Sequence, residues 1–215
     1  MEQPPKFMPD KELSKVGGSL WLYIIMQLTL SFLFSFVAMP LIMYSLNYDY
    51  SAINACIEML ISIISGIILL WFKSSSLKQN IKVLKFTFNP IETIDTVSMM
   101  YFLNYAIGII GALLSKFGLP DTSPDFSLNG SLLYNTFTFI SVVVLAPIFE
   151  ELIFRGMILN TLTKYNKMFA IIVTSLLFGL LHLNITQAIP AFFMGLVLCY
   201  MYLKSDSILV TMLAH

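Results

Sequence analysis

The stretch Pro147–Arg155 reads Pro-Ile-Phe-Glu-Glu-Leu-Ile-Phe-Arg and places two carboxylates and a guanidinium inside an apolar run. Charge at membrane depth is costly unless it is paired or hydrated, so such residues usually face a bundle interior or a wet cavity. If the stretch is helical, Glu151 and Arg155 are four residues apart and share a face, with the acid first, which is the better order for an ion pair. Glu150 lies about 100° further round the helix and points elsewhere.

Two interpretations fit this motif. In the first, Glu151 and Arg155 brace the helix and Glu150 is the carboxylate that is free to do chemistry. In the second, all three residues form a structural ion-pair cluster at a helix end. The nonapeptide alone leaves both interpretations open.

The composition indicates a polytopic membrane protein. Of 215 residues, 58% are hydrophobic and only 11% are charged, whereas a soluble domain carries about 25% charged residues. The formal net charge is zero and no basic stripe is present, which argues against a nucleic-acid partner. Cys56 and Cys199 both lie in apolar runs, so buried free thiols are expected. The predicted surroundings are therefore the lipid bilayer, and the sequence gives no oligomeric state.

Hydropathy predicts an all-α transmembrane helix bundle of about seven spans, the last of them truncated. Residues 1–130 hold spans one to three with interfacial loops, and residues 131–215 hold the remaining helical core. Span four has about 31 residues, or roughly 46 Å, which exceeds a hydrocarbon core of about 30 Å. A strong tilt, a kink at Pro147 or an interfacial end is expected to absorb the excess. The predicted spans are Leu20–Tyr44, Ile53–Phe72, Thr96–Lys116, Leu132–Leu162, Met168–Leu183, Ala188–Leu203 and a last one from Ile208, which stops in mid-run at His215, so that we expect the protein to continue.

Local signals place the ends of these spans. Asn89-Pro90-Ile91-Glu92 is typical of a helix start, with an N-cap, proline at the first helical position and an acid at the third. Three prolines in Gln3–Lys15 discourage a continuous helix there. Turns are expected at Lys164–Lys167, Asn184–Gln187 and Lys204–Ser207.

The lysines of alternate loops fall on one side of the membrane, and the loops between them carry no lysine or arginine. The positive-inside rule therefore predicts a cytoplasmic N-terminus, and the AT-rich residue usage favours a bacterial cell membrane. Glu58 lies alone in the second predicted span. An isolated intramembrane acid is a functional candidate, but near a span end it can also simply reach interfacial water.

The only two histidines, His182 and His215, provide the next clue. A lone histidine in an apolar helix is more often a packing residue than a catalyst. However, Glu150 lies about 15 residues before the Lys164–Lys167 turn and His182 about 16 after it, and equal distances from the turn of an antiparallel pair mean equal depth. His215 falls within about two turns of the same level. A shared depth favours a functional site over chance placement.

Two chemistries fit these three residues. Glu150 can act as a general base on a water that His182 orients, while His215 donates to the oxyanion that develops on an attacked carbonyl. Alternatively, Glu150, His182 and His215 hold a divalent metal such as zinc with one open position, although the HExxH pattern of the zincins is absent. Both chemistries hydrolyse an amide at membrane depth.

The motifs Glu150-Glu151-x-x-x-Arg155 and Phe178-x-x-x-His182, followed by a histidine on a later span, resemble those of the type II CAAX prenyl endopeptidases. The wider group is the CPBP or Abi family of intramembrane proteases, which includes bacteriocin-processing and self-immunity proteins. The resemblance covers about Leu132–His215. It implies a hydrolase that cuts a peptide or a membrane-tethered or prenylated protein substrate.

Carried over by position, the resemblance makes Glu150 and His182 the water-activating pair, with His215 on the oxyanion side. Glu151 and Arg155 support the site, Phe178 packs it, and no cofactor is favoured, since the glutamate mechanism is preferred to the zinc mechanism. The family's last motif is His-x-x-x-Asn, and this chain ends at its histidine. The lysine count also puts the site in the outer half of the bilayer, whereas prenyl-protein processing faces the cytosol. The alternative function is a non-catalytic immunity or scaffold protein that retains the protease fold.

Overall fold

Every regular element in the described part of the chain is a helix. The computed structural model describes residues 11–34, parts of 53–67, 84–116, 131–182 and 185–215. Described positions between 53 and 67 are also helical, and they receive no label because the stretch is interrupted. The predicted all-α class is therefore confirmed. The labelled helices are α1 (Lys11–Leu33), α2 (Pro90–Ser115), α3 (Leu132–Leu162), α4 (Lys167–Leu180), α5 (Ile185–Ser205) and α6 (Ile208–Ala214).

Three helices in the described ranges are long and apolar enough to cross a membrane. They are Pro90–Leu113 in α2, Leu132–Leu162 in α3 and Gln187–Ser205 in α5. Trp21–Leu33 of α1 and Lys167–Leu180 of α4 are apolar but shorter. The prediction of seven spans is thus supported in part. Nine of the 20 residues of the predicted second span, including Glu58, lie outside the described residues.

The helix boundaries agree with several local signals and correct others. The Asn89 side chain accepts a hydrogen bond from the Glu92 backbone at 3.3 Å, as an N-cap at this position requires. Asn166 caps α4 in the same way, accepting from Phe169 at 3.0 Å. By contrast, α1 begins at Lys11, inside the segment expected to be non-helical, because the last of its prolines is Pro9 and nothing beyond it breaks the helix. The turn predicted up to Gln187 also ends earlier, since α5 begins at Ile185.

Helix α3 passes through Pro147 by widening its turns. Segments Ile140–Leu145 and Leu152–Leu159 are π-helical, and the backbone N–H of Ala146 bonds to the carbonyl of Ser141, five residues back. Proline has no N–H to continue the α ladder, and a π turn just before it is one way to accommodate that gap. Because π turns are rare and occur often at functional sites, these two segments draw attention to the acidic pair between them.

The buried core forms where the second half of α3 meets α4 and α5. Seven of the eight residues in Leu152–Leu159 are buried, whereas none is buried in Ile140–Leu145. Helices α4 and α5 approach closely at glycines: a Cβ on Gly179 would lie 2.6 Å from the Ala188 carbonyl oxygen. The second half of α3 thus contacts α1, α4 and α5.

The turn between α5 and α6 is tied to the segment before α2. Lys85 forms an ion pair with Asp206, and the Ser207 hydroxyl donates to the Thr87 carbonyl at 2.6 Å. The backbone N–H of Ile208 also donates to the Lys85 carbonyl at 3.0 Å. These bonds fix the start of α6, the helix that leads to His215.

Candidate active site

A fully buried ion pair forms the base of the site. Arg155 Nη1 lies 2.8 Å from Glu151 Oε1, and neither side chain is exposed to solvent. The guanidinium also lies 4.9 Å from the centre of the Phe178 ring, and its Nη2 is 3.5 Å from the Gly195 carbonyl oxygen. The i, i+4 spacing therefore produces the predicted pair, and the surrounding bundle removes it from water.

His215 lies between the two glutamates. Its Nδ1 is 3.1 Å from Glu151 Oε1, and its Nε2 is 3.6 Å from Glu150 Oε2. The sequence interpretation separated the two acids by about 100° of helix rotation. The structure refines this interpretation, because one imidazole ring, with a nitrogen on either side, reaches both carboxylates. Glu150 keeps 28% of its side chain exposed, whereas Glu151 is fully buried.

His182 lies at the end of α4, where its ring turns back on its own helix. Its Nδ1 is 2.9 Å from the carbonyl oxygen of Phe178. Since a carbonyl oxygen only accepts hydrogen bonds, this contact assigns the ring hydrogen to Nδ1. In the neutral ring, Nε2 is then the atom that can accept a hydrogen bond from a water or a substrate.

The Phe178 ring joins the parts of the site. It makes edge-to-face contacts with His182, His215 and Phe154 at centroid distances of 5.2, 5.5 and 4.9 Å. Phe178 itself is only 2% exposed. Aromatic pairs with this geometry contribute roughly 0.5–1.5 kcal/mol beyond simple burial. The ring therefore fixes the orientation of both imidazoles.

A cavity of about 220 Å³ opens beside Glu150 and His182, both of which line it. The Glu150 carboxylate is within electrostatic range of the imidazoles of His182 and His215. The equal-depth argument thus brought together two residues that do face one space. The other lining residues are Tyr23, Ile24, Gln27, Leu28, Ile153, Phe154, Phe178 and Leu181.

The sequence interpretation missed the contribution of α1. Tyr23 lies in the cavity wall, where Gln27 Nε2 donates to its hydroxyl at 3.1 Å. A lone amide in an apolar run, four residues after a tyrosine, was the available signal. Its meaning depended on knowing that α1 packs against α3, and local sequence does not contain that information.

The proposed zinc ligands make other contacts in the structure. Within the described residues, no group of three or more His, Cys, Asp or Glu side chains is arranged to hold a metal ion. The Nδ1 atom of His182 is occupied by a carbonyl oxygen, and that of His215 by Glu151. These contacts leave Nε2 of each ring as the nitrogen that could bind a metal, which is the usual arrangement for a histidine ligand, so the zinc alternative stays a prediction.

Comparisons with known proteins show similarity to membrane peptidases over part of the chain. The family model described as "Type II CAAX prenyl endopeptidase Rce1-like" matches residues 132–215. A Bacillus subtilis (strain 168) protein named "Putative membrane peptidase YdiL" is 33% identical over 73 residues, which are 34% of this chain and 30% of that protein. The match thus spans less than a third of the relative's length. No solved structure matches the chain significantly.

The resemblance read from the two glutamates, the arginine and the histidines is therefore confirmed. The matched residues 132–215 contain α3 to α6 and every candidate catalytic residue. Helices α1 and α2 lie outside the matched region.

Proposed function

We propose that this protein is an intramembrane endopeptidase that hydrolyses a peptide bond with a water activated by Glu150 and His182. One observation carries the proposal. Glu150 is the partly exposed acid and lines a cavity together with His182, whereas Glu151 is fully buried and paired with Arg155. This division of the acids supports the first interpretation of the motif over a purely structural cluster.

The first step is attack by water on the substrate carbonyl. His182 Nε2 accepts one hydrogen of the water and orients it, and the Glu150 carboxylate removes the other proton as the oxygen bonds to the carbonyl carbon. The resulting tetrahedral oxyanion then expels the amine. Glu150 returns its proton to that amine nitrogen, so the carboxylate is regenerated and one water is consumed.

His215 stabilises the oxyanion. Its Nδ1 donates to Glu151, so Nε2 carries a hydrogen only in the imidazolium form. An Nε2–H directed to the Glu150 side of the ring lies where a donor to the reacting carbonyl oxygen is needed.

Glu151 and Arg155 act as positioning residues. Glu151 Oε1 receives hydrogen bonds from Arg155 and His215, so it fixes the imidazole while the guanidinium fixes the carboxylate. The contact of Arg155 with the Gly195 carbonyl links this arrangement to α5. The arrangement follows the general rule that reacting groups are held by a second layer of hydrogen bonds.

The substrate class follows from the location. The acidic pair lies on α3, which is one of three described helices long and apolar enough to cross a membrane. This supports a peptide or a membrane-protein segment as substrate and the lipid bilayer as its surroundings. Residues 131–215 form the catalytic core in this proposal, and residues 1–130 supply membrane spans around it. The N-terminus is assigned to the cytoplasmic side of a bacterial membrane by the lysine distribution.

The test is Glu150→Gln, which removes the base and preserves the shape. Loss of a general base lowers the rate about 100- to 10,000-fold. The readout is the set of new N-termini in membranes from cells that produce the wild-type or the variant protein, with Glu92→Gln on α2 as the matched control. If Glu150→Gln and His182→Ala leave every cleavage intact, the peptidase proposal is wrong. If the wild type cleaves nothing and its biological effect survives both changes, the non-catalytic immunity or scaffold function is correct.

A further inference from the structure

Helix α1 has two unlike faces. Tyr23, Ile24 and Gln27 turn inward, where they are partly buried and line the cavity. The inward face is unusual because it carries an amide and a phenol, whereas the other polar side chains of α1 from Trp21 onward are only the hydroxyls of Thr29 and Ser31. The outward stripe consists of Trp21, Ile25, Leu28 and Phe32, which are 66%, 55%, 52% and 59% exposed, with Leu28 at the cavity rim.

The two polar side chains are bonded to each other in a way that leaves capacity for a ligand. Gln27 Nε2 donates to the Tyr23 hydroxyl oxygen at 3.1 Å. After this bond, the hydroxyl still has its own hydrogen to donate, and Gln27 still has its carbonyl oxygen to accept with. Among the described residues, the pair therefore presents one donor and one acceptor side by side at the cavity wall.

A peptide unit needs that combination. A substrate segment must leave its helical form around the scissile bond, which frees backbone N–H and C=O groups from their helical partners. In the bilayer these groups find little water, and each one left unsatisfied is costly. A protein that cuts peptide bonds at this depth therefore has to supply hydrogen-bond partners for the neighbouring peptide units.

The position of the pair relative to the reacting groups suits this task. Both residues line the same cavity as Glu150 and His182, and the Tyr23 hydroxyl is within electrostatic range of the Glu150 carboxylate. Beside the polar pair, Ile24 and Leu28 form an apolar row one residue further round the helix. A cavity of about 220 Å³ is smaller than the roughly 300–1,000 Å³ of typical drug-sized sites, and suits a short piece of peptide.

We propose that Tyr23 and Gln27 form a substrate-backbone subsite: Tyr23 donates to a peptide carbonyl and Gln27 accepts from a peptide N–H next to the scissile bond. Ile24 and Leu28 contact an apolar side chain of the same segment. The ligand is thus an extended, unwound peptide, and the assignment rests on the proposed peptidase function. It gives α1, which lies outside the family match, a direct part in substrate binding.

The experiment uses the full chain purified in detergent micelles and a panel of quenched fluorescent peptides with apolar sequences. Gln27→Met removes the acceptor and keeps an unbranched side chain, and Tyr23→Phe removes only the hydroxyl. Each change should lower kcat/KM about 3- to 10-fold through KM, since each removes one hydrogen bond made in both the bound substrate and the transition state. Thr29→Val is the control, because Thr29 is exposed and lies about 200° round α1 from Gln27.

A backbone substitution in the peptide tests the subsite more specifically. Replacing one amide next to the scissile bond by an ester removes the N–H group that would donate a hydrogen bond to Gln27. At one such position, the ester should lower kcat/KM of the wild-type protein about 3- to 10-fold. It should not lower kcat/KM of the Gln27→Met variant any further. If Gln27→Met and the ester act independently at every flanking position, or if Thr29→Val has the same effect as Gln27→Met, the subsite is wrong.

Peptide binding separates this inference from the peptidase proposal. Binding of the same peptides is measured by fluorescence anisotropy on the inert Glu150→Gln form, with Gln27→Met, Tyr23→Phe or Thr29→Val added. Weaker binding with the first two changes supports the subsite even where no peptide is cut. Unchanged binding contradicts the subsite. It does not contradict the proposal that cleavage depends on Glu150.

Discussion

Helix α2 and the last part of α3 are both rich in apolar residues, but they differ in where their side chains lie. In α2, the large side chains face outward: Tyr101 and Phe102 are 76% and 75% exposed. In Leu152–Leu159 of α3, nearly every side chain is buried, and one of them is the guanidinium of Arg155. The helix with the charge is on the inside, and the helix without charge in its central part is on the outside.

This arrangement follows from the solvent. In a bilayer the apolar outer surface is at no disadvantage, so hydrophobicity does not decide which helix is central. Packing contacts and polar groups that need partners decide it instead. Helix α3 is central because Glu151 and Arg155 each need other polar groups, and α4, α5 and α6 supply contacts to them. Three variant pairs test this difference between α2 and the buried helices around α3.

The largest expected effect comes from breaking the buried ion pair. Arg155→Met leaves the Glu151 carboxylate buried without its guanidinium, which should cost about 3–5 kcal/mol of unfolding free energy. The measurement is reversible unfolding in mixed micelles. Replacing both partners, as Glu151→Gln with Arg155→Met, should recover most of that loss, since two neutral side chains leave no unpaired charge.

The matched control on α2 is Asp95→Asn. Asp95 is exposed, so its neutralisation should change stability by no more than about 0.5 kcal/mol. If Arg155→Met proves as stable as this control, the pair does not hold α3 in the core, and the contrast between the helices has another cause.

The sequence was sufficient for the parts of the site that depend on spacing. The i, i+4 rule paired Arg155 with Glu151, and equal distance from the Lys164–Lys167 turn predicted that Glu150 and His182 lie at the same depth. Both are short-range arguments, because a helix or a hairpin fixes the geometry once it forms. The start of α2 at Asn89 and Pro90 is predictable for the same reason.

The remaining features depend on contacts between distant elements. Tyr23 and Gln27 enter the cavity only because α1 packs on α3, and no local pattern specifies which helices become neighbours. The position of His215 between Glu150 and Glu151 depends on bonds that join the start of α6 to residues 84–89. Pro147 predicted a disturbance in α3, but whether it becomes a kink or a wide turn depends on the packing around it.

Glycine substitutions give the second comparison. A Cβ on Gly179 would lie 2.6 Å from the Ala188 carbonyl oxygen and 3.2 Å from the Phe192 backbone nitrogen, so Gly179→Ala forces two backbones apart. It should cost about 1–3 kcal/mol of unfolding free energy. Gly108 on α2 has no atom within 4 Å of such a Cβ, so Gly108→Ala should stabilise the helix by about 0.5–1 kcal/mol. Thermal unfolding of both variants checks the opposite signs, and equal shifts would contradict the packing.

The smallest effect compares two tyrosine hydroxyls. Asn160 Nδ2 donates to the Tyr202 hydroxyl at 2.9 Å, which links α3 to α5 where Tyr202 is 7% exposed. Tyr202→Phe should therefore cost about 0.6 kcal/mol, the average for hydrogen bonds between helices in membranes. Tyr101→Phe on α2 makes the same chemical change at a side chain that is 76% exposed, and it should leave the unfolding free energy unchanged.

A double variant with Asn160→Ala completes the test of the Tyr202 hydroxyl, since its loss should then have no further effect on the unfolding free energy. An effect of Tyr202→Phe that persists without the Asn160 amide would assign the contribution of this side chain to packing rather than to the hydrogen bond.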